Sequence, residues 1–259
     1  MDSNEYGGKF SRLVDIVAKL RAPDGCPWDR EQTPETILPY LIEETYEAVE
    51  AIENSDAPHL CEELGDLLLE VTLLAQMHAE RGDFTVADSL DSICEKLIRR
   101  HPHVFGEESA DDSETIQKNW TRIKAEEKPG RSLLGGVPRS LPALHRARRA
   151  SEKAATVGFD WSHAEEVVEK LDEELAELRE AMALRDQSNM EEELGDVLFA
   201  VVNIARHLKI DAESALHRTT EKFTSRFNYI EETLKARGID PAAASLEEME
   251  RLWQEAKRD

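Results

Sequence analysis

The pentapeptide Glu62-Glu63-Leu64-Gly65-Asp66 recurs unchanged as Glu192-Glu193-Leu194-Gly195-Asp196, 130 positions later. Each copy follows a second acidic motif at the same spacing, Glu43-Glu44-x-x-Glu47 in the first half and Glu173-Glu174-x-x-Glu177 in the second. Carboxylates grouped in this way on helices typically hold hard divalent cations, and such cations commonly serve phosphate chemistry. The duplication therefore predicts two related halves, each with a candidate metal site.

Apolar residues at helical spacing accompany the acidic motifs. In the second half, one stripe runs from Leu171 to Met182 and another from Val197 to Leu208. The polar segment 186–189 lies between them, and we predict a turn there. Aromatic residues make up only 6 % of the chain and alternating β-branched runs are lacking, so strands are not expected. The pattern predicts an all-α protein built from helical hairpins.

The first half repeats this plan, with predicted helices over 34–53 and 59–80. Glycine and proline are concentrated between residues 128 and 142, which is typical of a connection between domains. We therefore predict two tandem helical-bundle domains of similar size, residues 1–128 and residues 129–259.

Charge and composition restrict the possible partners. The formal net charge of the 259-residue chain is −23, which either serves solubility alone or also repels polyanions. We expect no binding of DNA or RNA polymers, whereas a small phosphate compound is compatible if cations neutralise the local carboxylates. The sequence contains no apolar run of 18 residues, no signal-peptide pattern and no CxxC pair among its three cysteines. These features predict a cytoplasmic protein without membrane contact.

The four carboxylates of the second copy are expected to meet at the hairpin interface. Glu174 and Glu177, at i and i+3, point the same way from one helix, and Glu193 and Asp196 do so from the next. At a rise of about 1.5 Å per residue, the two pairs lie at similar heights in an antiparallel hairpin. Close like charges need a counter-charge, and Mg²⁺, with Mn²⁺ as a substitute, favours such oxygen ligands. We therefore predict a metal site at these four residues.

The first half offers a second candidate metal site of matching composition, formed by Glu44, Glu47, Glu63 and Asp66. Two other interpretations exist for both sites. A chain with 55 acidic residues has many solvated acidic helix faces that hold no metal. A ferritin-like di-iron centre would use Glu-x-x-His pairs, but no histidine follows Glu63 or Glu193 at i+3, which favours a hard cation over iron.

Basic and aromatic residues are duplicated as well. Lys96 and Arg100 correspond to Lys222 and Arg226, and the pair Trp120 and Lys124 corresponds to Trp253 and Lys257. Arginine can clamp a phosphate and tryptophan can stack on a base, which would suit a nucleotide. Surface ion pairing and a core tryptophan are the ordinary alternatives.

In combination, these motifs identify a family. The chain resembles the MazG family of tandem-domain nucleoside triphosphate pyrophosphohydrolases over nearly its full length. The resemblance rests on the acidic motifs together with the following segments: Gly25-Cys26-Pro27-Trp28-Asp29, Arg100-His101-Pro102-His103-Val104-Phe105, Pro138-Arg139-Ser140-Leu141-Pro142-Ala143-Leu144 and Val157-Gly158-Phe159-Asp160-Trp161.

The resemblance implies an all-α NTP pyrophosphatase fold and hydrolysis between the α- and β-phosphates, giving a nucleoside monophosphate and pyrophosphate. It implies Mg²⁺ at Glu174, Glu177, Glu193 and Asp196. It also implies nucleotide binding by a further set of residues: Lys170, Glu173, Glu192, Lys222, Arg226, Trp253 and Lys257. In this family the C-terminal copy is the active one, so we expect catalysis in residues 129–259.

Our leading hypothesis is Mg²⁺-dependent pyrophosphohydrolysis, in which Glu192 or Glu193 orients or deprotonates a metal-activated water. The alternative is a nucleotide-binding regulator without catalysis. It is motivated by Asn189, which ends the turn where family members can carry a phosphate-facing lysine. A metal-free helical scaffold is a third hypothesis. We also expect a homodimer, because two-layer helical hairpins leave an apolar face to cover.

Overall fold

The computed structural model describes residues 3–106, 112–127, 130 and 132–257, and among these residues it contains helices and no strand. The α-helices are α1 (Ser3–Arg21), α2 (Pro27–Glu31), α3 (Pro34–Glu53), α4 (Ala57–Arg81), α5 (Val86–Arg100), α6 (Pro102–Phe105), α7 (Ser113–Glu126), α8 (Ala143–Ala155), α9 (Ala164–Leu184), α10 (Gln187–His207), α11 (Ala212–Ala236) and α12 (Leu246–Ala256). Two short 3₁₀ turns cover Leu134–Gly136 and Pro241–Ala243. The predicted all-α class is confirmed.

The chain forms two compact units, Met1–Lys124 and Ala125–Asp259, which we call the N-terminal and C-terminal units. The two residues that flank the predicted domain boundary, 128 and 129, lie outside the described residues. Among the helices that are described, none is both long and apolar enough to cross a membrane.

The N-terminal unit is organised around the hairpin of α3 and α4, which pack along each other. Thr33 caps α3 by accepting a hydrogen bond from the Thr36 backbone N–H, and Asp56 caps α4 in the same way through the N–H of His59. The core of this unit lies where α1 meets the hairpin, and its buried side chains are Val17, Ile37, Leu73 and Met77.

The C-terminal unit repeats the hairpin with α9 and α10, and α8 packs on α10. Arg185 ends α9 in the left-handed conformation, with φ of 58°, and the Asp186 side chain then caps α10 by accepting from the Asn189 N–H. The predicted turn over 186–189 is therefore wrong in its extent, because residues 187–189 form the first turn of α10.

A buried cluster in the C-terminal unit joins α11 to α12 through Ile230, Leu234 and Leu252. Trp253 packs against this cluster. The helix that carries Lys222 and Arg226 is thus attached mainly to α12, and this arrangement determines where those side chains lie.

Candidate metal and nucleotide site

Three of the four predicted C-terminal ligands come together at the α9–α10 interface. Glu174 and Glu177 project from α9 and Glu193 from α10, with one carboxylate oxygen of each within 4.8 Å of the others. The spacing of i and i+3 on α9 puts the first two side chains on one face, and antiparallel packing brings the third alongside. Asp196, on the same face of α10, lies outside this close group.

The charges of this cluster are unevenly compensated. Glu174 is buried, and Lys170 Nζ lies 2.8 Å from its Oε1 and 2.9 Å from Glu173 Oε1. Partial desolvation raises the pKa of Glu177, which is exposed, and of Glu193, which is half-buried, and the charges of neighbouring carboxylates raise both further. Two of the three carboxylates are therefore held in a site that disfavours their charged form until a cation is supplied.

A corresponding cluster lies in the N-terminal hairpin, but with different members. Glu44 of α3 meets Glu63 and Asp66 of α4, again with one oxygen of each within 4.8 Å, while Glu47 lies outside the group. Glu63 is 5 % exposed, and its Oε1 accepts from His59 Nε2 at 3.0 Å. Burial, followed by contact with Glu63 and repulsion from Glu47, raises the pKa of Glu44 to about 7.

The N-terminal cluster continues to a carboxylate that the sequence analysis missed. Glu70, one turn beyond Asp66 on α4, is 8 % exposed, and burial followed by the Asp66 charge raises its pKa. The Oε2 atoms of Glu63 and Glu70 are both buried without a hydrogen-bond partner. The spacing of Glu63, Asp66 and Glu70 along one helix face was the available signal, and the C-terminal counterpart of Glu70 is Ala200.

The predicted basic and aromatic residues form a separate group in each half. Arg226 Cζ lies 5.5 Å from the Trp253 ring centroid, and the corresponding Arg100 lies 5.6 Å from that of Trp120. Lys124 Nζ is also 4.5 Å from the Trp120 ring. These distances are those of cation–π contacts. Each tryptophan ring therefore has a basic side chain on it and is not wholly enclosed in a core.

In the C-terminal unit this basic group and the carboxylates lie on different helix pairs, the first on α11 and α12 and the second on α9 and α10. Helix α12, which carries Trp253, packs against α11, and α9 packs against α10. Helix α11 contacts α8 and, only sparingly, α10. Lys222, Lys257 and Glu192 are exposed.

Both carboxylate clusters suit a hard divalent cation. Every close donor is a carboxylate oxygen, the donor type that Mg²⁺ and Mn²⁺ prefer. In the C-terminal cluster desolvation and the neighbouring carboxylates raise the pKa of Glu177 and Glu193, and in the N-terminal cluster Glu63 Oε2 is buried with no hydrogen-bond partner in the part of the chain that the structure describes. A bound cation would relieve both conditions.

Comparison with known proteins agrees with these features. A profile for the MazG nucleotide pyrophosphohydrolase domain matches residues 32–105 and residues 162–230, so it covers both acidic hairpins. The nucleoside triphosphate pyrophosphohydrolase/pyrophosphatase MazG of Thermotoga maritima is 47 % identical over 98 % of this chain and 97 % of its own length. The nucleoside triphosphate pyrophosphohydrolase of Escherichia coli K12 is also 47 % identical, over 96 % of this chain and 97 % of its own length.

Proposed function

The chain belongs to the MazG family, and we propose that it hydrolyses nucleoside triphosphates between the α- and β-phosphates, releasing a nucleoside monophosphate and pyrophosphate. The observation that carries this proposal is the close group of Glu174, Glu177 and Glu193 within a segment that matches the family domain. We assign catalysis to residues 129–259 and a cytoplasmic location to the protein, in keeping with the three free cysteines.

We propose that Glu174, Glu177 and Glu193 hold Mg²⁺, or Mn²⁺ in its place, with Asp196 joining them when the ion binds. The bound ion would neutralise phosphate charge and lower the pKa of a water molecule. Lys170 is a further candidate for contact with the nucleotide, and its ion pair with Glu174 gives that buried carboxylate a counter-charge.

Glu193 is our candidate for the group that orients or deprotonates the attacking water, with Glu192 beside it as the second candidate. Both carboxylates lie at the start of α10, next to the proposed ion, where a water molecule activated by that ion would be within reach. Glu192 is exposed one residue earlier, and with Glu173 it is proposed to contact the nucleotide at the rim of the site.

The remaining nucleotide-binding residues reach the carboxylates, we propose, from a second copy of the chain. Arg226 and Trp253 lie on α11 and α12, which pack mainly on each other and contact the α9–α10 hairpin only sparingly. Lys222 on α11 and Lys257 at the end of α12 are exposed and carry the charge that phosphates would need.

A duplicated apolar stripe supports the homodimer. On α4 the side chains of Leu64, Leu68 and Val71 are 50 %, 47 % and 51 % exposed. Their counterparts on α10, which are Leu194, Leu198 and Val201, are 50 %, 50 % and 42 % exposed. Large aliphatic side chains at i, i+4 and i+7 that remain open in a folded chain are typical of a helix face that another subunit covers.

The first experiment is to incubate the purified protein with NTPs and dNTPs, with Mg²⁺, Mn²⁺ or EDTA, and to resolve the products by chromatography. We expect monophosphate and pyrophosphate only when the divalent ion is present. Diphosphate and orthophosphate would show that the wrong bond is assigned, and nucleotide binding without product would support the regulatory alternative.

Two variants sharpen this assay. Glu193→Gln should abolish turnover while circular dichroism stays that of the wild type, and normal turnover in that variant would refute the site assignment. Leu198→Asp should convert a dimer into a monomer in light scattering and reduce turnover together with dimer content, whereas a wild-type protein that is monomeric at micromolar concentration would refute the homodimer.

A further inference from the structure

We propose that the N-terminal unit holds a second nucleotide site, in which Glu44, Glu63 and Asp66 bind the phosphates through a divalent cation and the exposed aromatic pair Trp28 and Tyr40 stacks on the base. This site goes beyond the proposed hydrolysis, because it requires binding and no turnover. The carboxylate cluster and the aromatic pair are independent observations that point to the same ligand class.

Two carboxylate oxygens, one in the cluster and one next to it, are buried without hydrogen-bond partners in the described part of the chain. The Oε2 atoms of Glu63 and Glu70 are buried without partners, in side chains that are 5 % and 8 % exposed. An orphaned buried carboxylate oxygen is costly, and a cation bridged by Glu44, Glu63 and Asp66 would supply a partner for the first of them.

The aromatic pair adjoins this cluster. Tyr40 precedes Glu44 by four residues on α3, so the two side chains share a helix face, one turn or about 6 Å apart. Trp28 meets Tyr40 edge to face, with ring centroids 6.3 Å apart, and the two residues are 55 % and 39 % exposed. The ribose of a nucleotide can bridge from a base on these rings to phosphates at the cation.

Helix α2 carries the tryptophan, and hydrogen bonds anchor the backbone of this helix and of the loop before it. Gln32 Nε2 donates to the carbonyl of Trp28 at 3.1 Å, and Arg21 donates to the carbonyls of Asp29 and Gln32. At Gly25 an added Cβ would lie 2.3 Å from the Leu20 carbonyl oxygen, so the backbone of this loop is closely packed. A solvent-facing tryptophan on an anchored backbone loses less conformational entropy on stacking with a flat ligand than one on a free segment would.

The position of Tyr40 argues against a second copy as the occupant. At about 100° per residue, the exposed apolar side chains of α3, among them Leu38, Ile42 and Val49, lie on the side of the helix opposite Tyr40. A subunit that covers that apolar face would leave Tyr40 and Glu44 open to solvent.

The C-terminal counterpart of Tyr40 is Lys170, whose charge is committed to Glu173 and Glu174. The C-terminal half therefore has an internal counter-charge at this position, and the N-terminal half has an aromatic ring on which a base can stack. The N-terminal cluster therefore lacks the lysine counter-charge of the C-terminal cluster and has only the His59 contact with Glu63 in its place.

The test is the stoichiometry of binding of a non-hydrolysable α,β-methylene nucleoside triphosphate, measured by isothermal titration calorimetry with Mg²⁺ and with EDTA. We expect two sites per chain with Mg²⁺. Trp28→Leu should weaken one of them by about fivefold to a hundredfold, the usual loss of one base–aromatic stack. Trp28→Phe, the matched control, should bind within about threefold of the wild type.

Turnover and oligomeric state separate this inference from the proposed function. Trp28→Leu should keep kcat within about twofold, because the lost site is not the hydrolytic one. One site per chain in the wild type, or two sites that Trp28→Leu and Glu63→Gln both leave unchanged, would overturn the proposal. A shift to monomer caused by Trp28→Leu would overturn it in favour of a subunit contact. Failure of hydrolysis with both sites intact would refute only the proposed function.

Discussion

In the N-terminal hairpin the buried carboxylate of the cluster belongs to the second helix, whereas in the C-terminal hairpin it belongs to the first. Glu63 of α4 is 5 % exposed and is paired with His59, and Glu174 of α9 is 6 % exposed and is paired with Lys170. The acidic motifs are the same in the two halves, so they do not decide which carboxylate is buried.

The neighbouring residues decide it. The counterpart of His59 is Asn189, and the counterpart of Lys170 is Tyr40. A base or hydrogen-bond donor lowers the cost of burying a carboxylate, and within each cluster the buried member is the one that has a basic partner one turn away. The third member changes accordingly, from Asp66 on the second helix to Glu177 on the first.

The largest expected effect is on turnover, and it shows whether only the C-terminal half is catalytic. Glu177→Gln removes a member of the close C-terminal group and should lower kcat by about a hundredfold to ten-thousandfold. Glu47→Gln, the same change at the matching N-terminal position, should keep kcat within about twofold. Steady-state pyrophosphate release measures both, and equal losses would show that the two halves share the catalytic work.

Core substitutions should separate the stabilities of the two units. Leu234 is fully buried in the α11–α12 cluster, so Leu234→Ala should lower the free energy of unfolding by about 2–5 kcal/mol and reduce turnover, because Trp253 packs on the same cluster. Met77→Ala should cost about as much in the N-terminal core and leave turnover near the wild-type value. Urea unfolding followed by circular dichroism gives the first quantity, and a loss of turnover in Met77→Ala would contradict the division.

The metal-free protein should become less stable as the pH rises from about 5 to about 7. The pKa of Glu44 is raised from 4.5 to about 7, so the native state binds this proton more tightly than the unfolded chain does. The stabilisation from this proton is complete below pH 4.5 and disappears as the pH rises through 7. The shift of about 2.5 pKa units corresponds to at most about 3.5 kcal/mol at roughly 1.4 kcal/mol per unit, and solvent screening of this half-buried group lowers it to about 1–3 kcal/mol.

Glu44→Gln should flatten this pH dependence, and saturating Mg²⁺ should reverse it. Glu177 and Glu193 contribute in the same direction, because their pKa values are raised too. Thermal melts between pH 5 and pH 8 in EDTA measure the effect, and a Glu44→Gln variant with an unchanged slope would exclude this carboxyl as its source.

The smallest expected effects concern a feature that the halves share. Asp56 and Asp186 each accept a hydrogen bond from a backbone N–H at the start of the second hairpin helix, at 3.1 Å from His59 and 3.2 Å from Asn189. Asp56→Ala and Asp186→Ala should each cost about 1 kcal/mol of stability. Differential scanning calorimetry should find the two losses equal, and a loss in one half alone would mean that the hairpins do not depend on their caps alike.

The fold could be predicted because its signals are local and repeated. The helix predicted over 34–53 has the observed bounds of α3, Pro34–Glu53, since Thr33 and the apolar periodicity mark it within the chain itself. The predicted turn over 186–189 was wrong in extent because Asp186 acts as a cap, so the polar residues that follow it are helical.

The site could be predicted only in part. Helical spacing placed Glu174, Glu177 and Glu193 together, but it could not tell that Asp196 would lie outside the close group, since that depends on small rotations of packed helices. The importance of Glu70 and of the contact between Trp28 and Tyr40 was not visible either. Burial and contacts between separate helices arise from tertiary packing, which a single sequence does not display.

The orphaned oxygens of Glu63 and Glu70 have a consequence for the dynamics of the chain. They make the metal-free N-terminal hairpin a locally frustrated region, in which packing and electrostatics favour different arrangements of α4. Local opening there costs less free energy, because it returns both carboxylates to water. Amide hydrogens along the middle of α4 should therefore exchange faster than those at the matching positions of α10, a helix with Ala200 in place of Glu70 and with no side-chain oxygen buried without a partner.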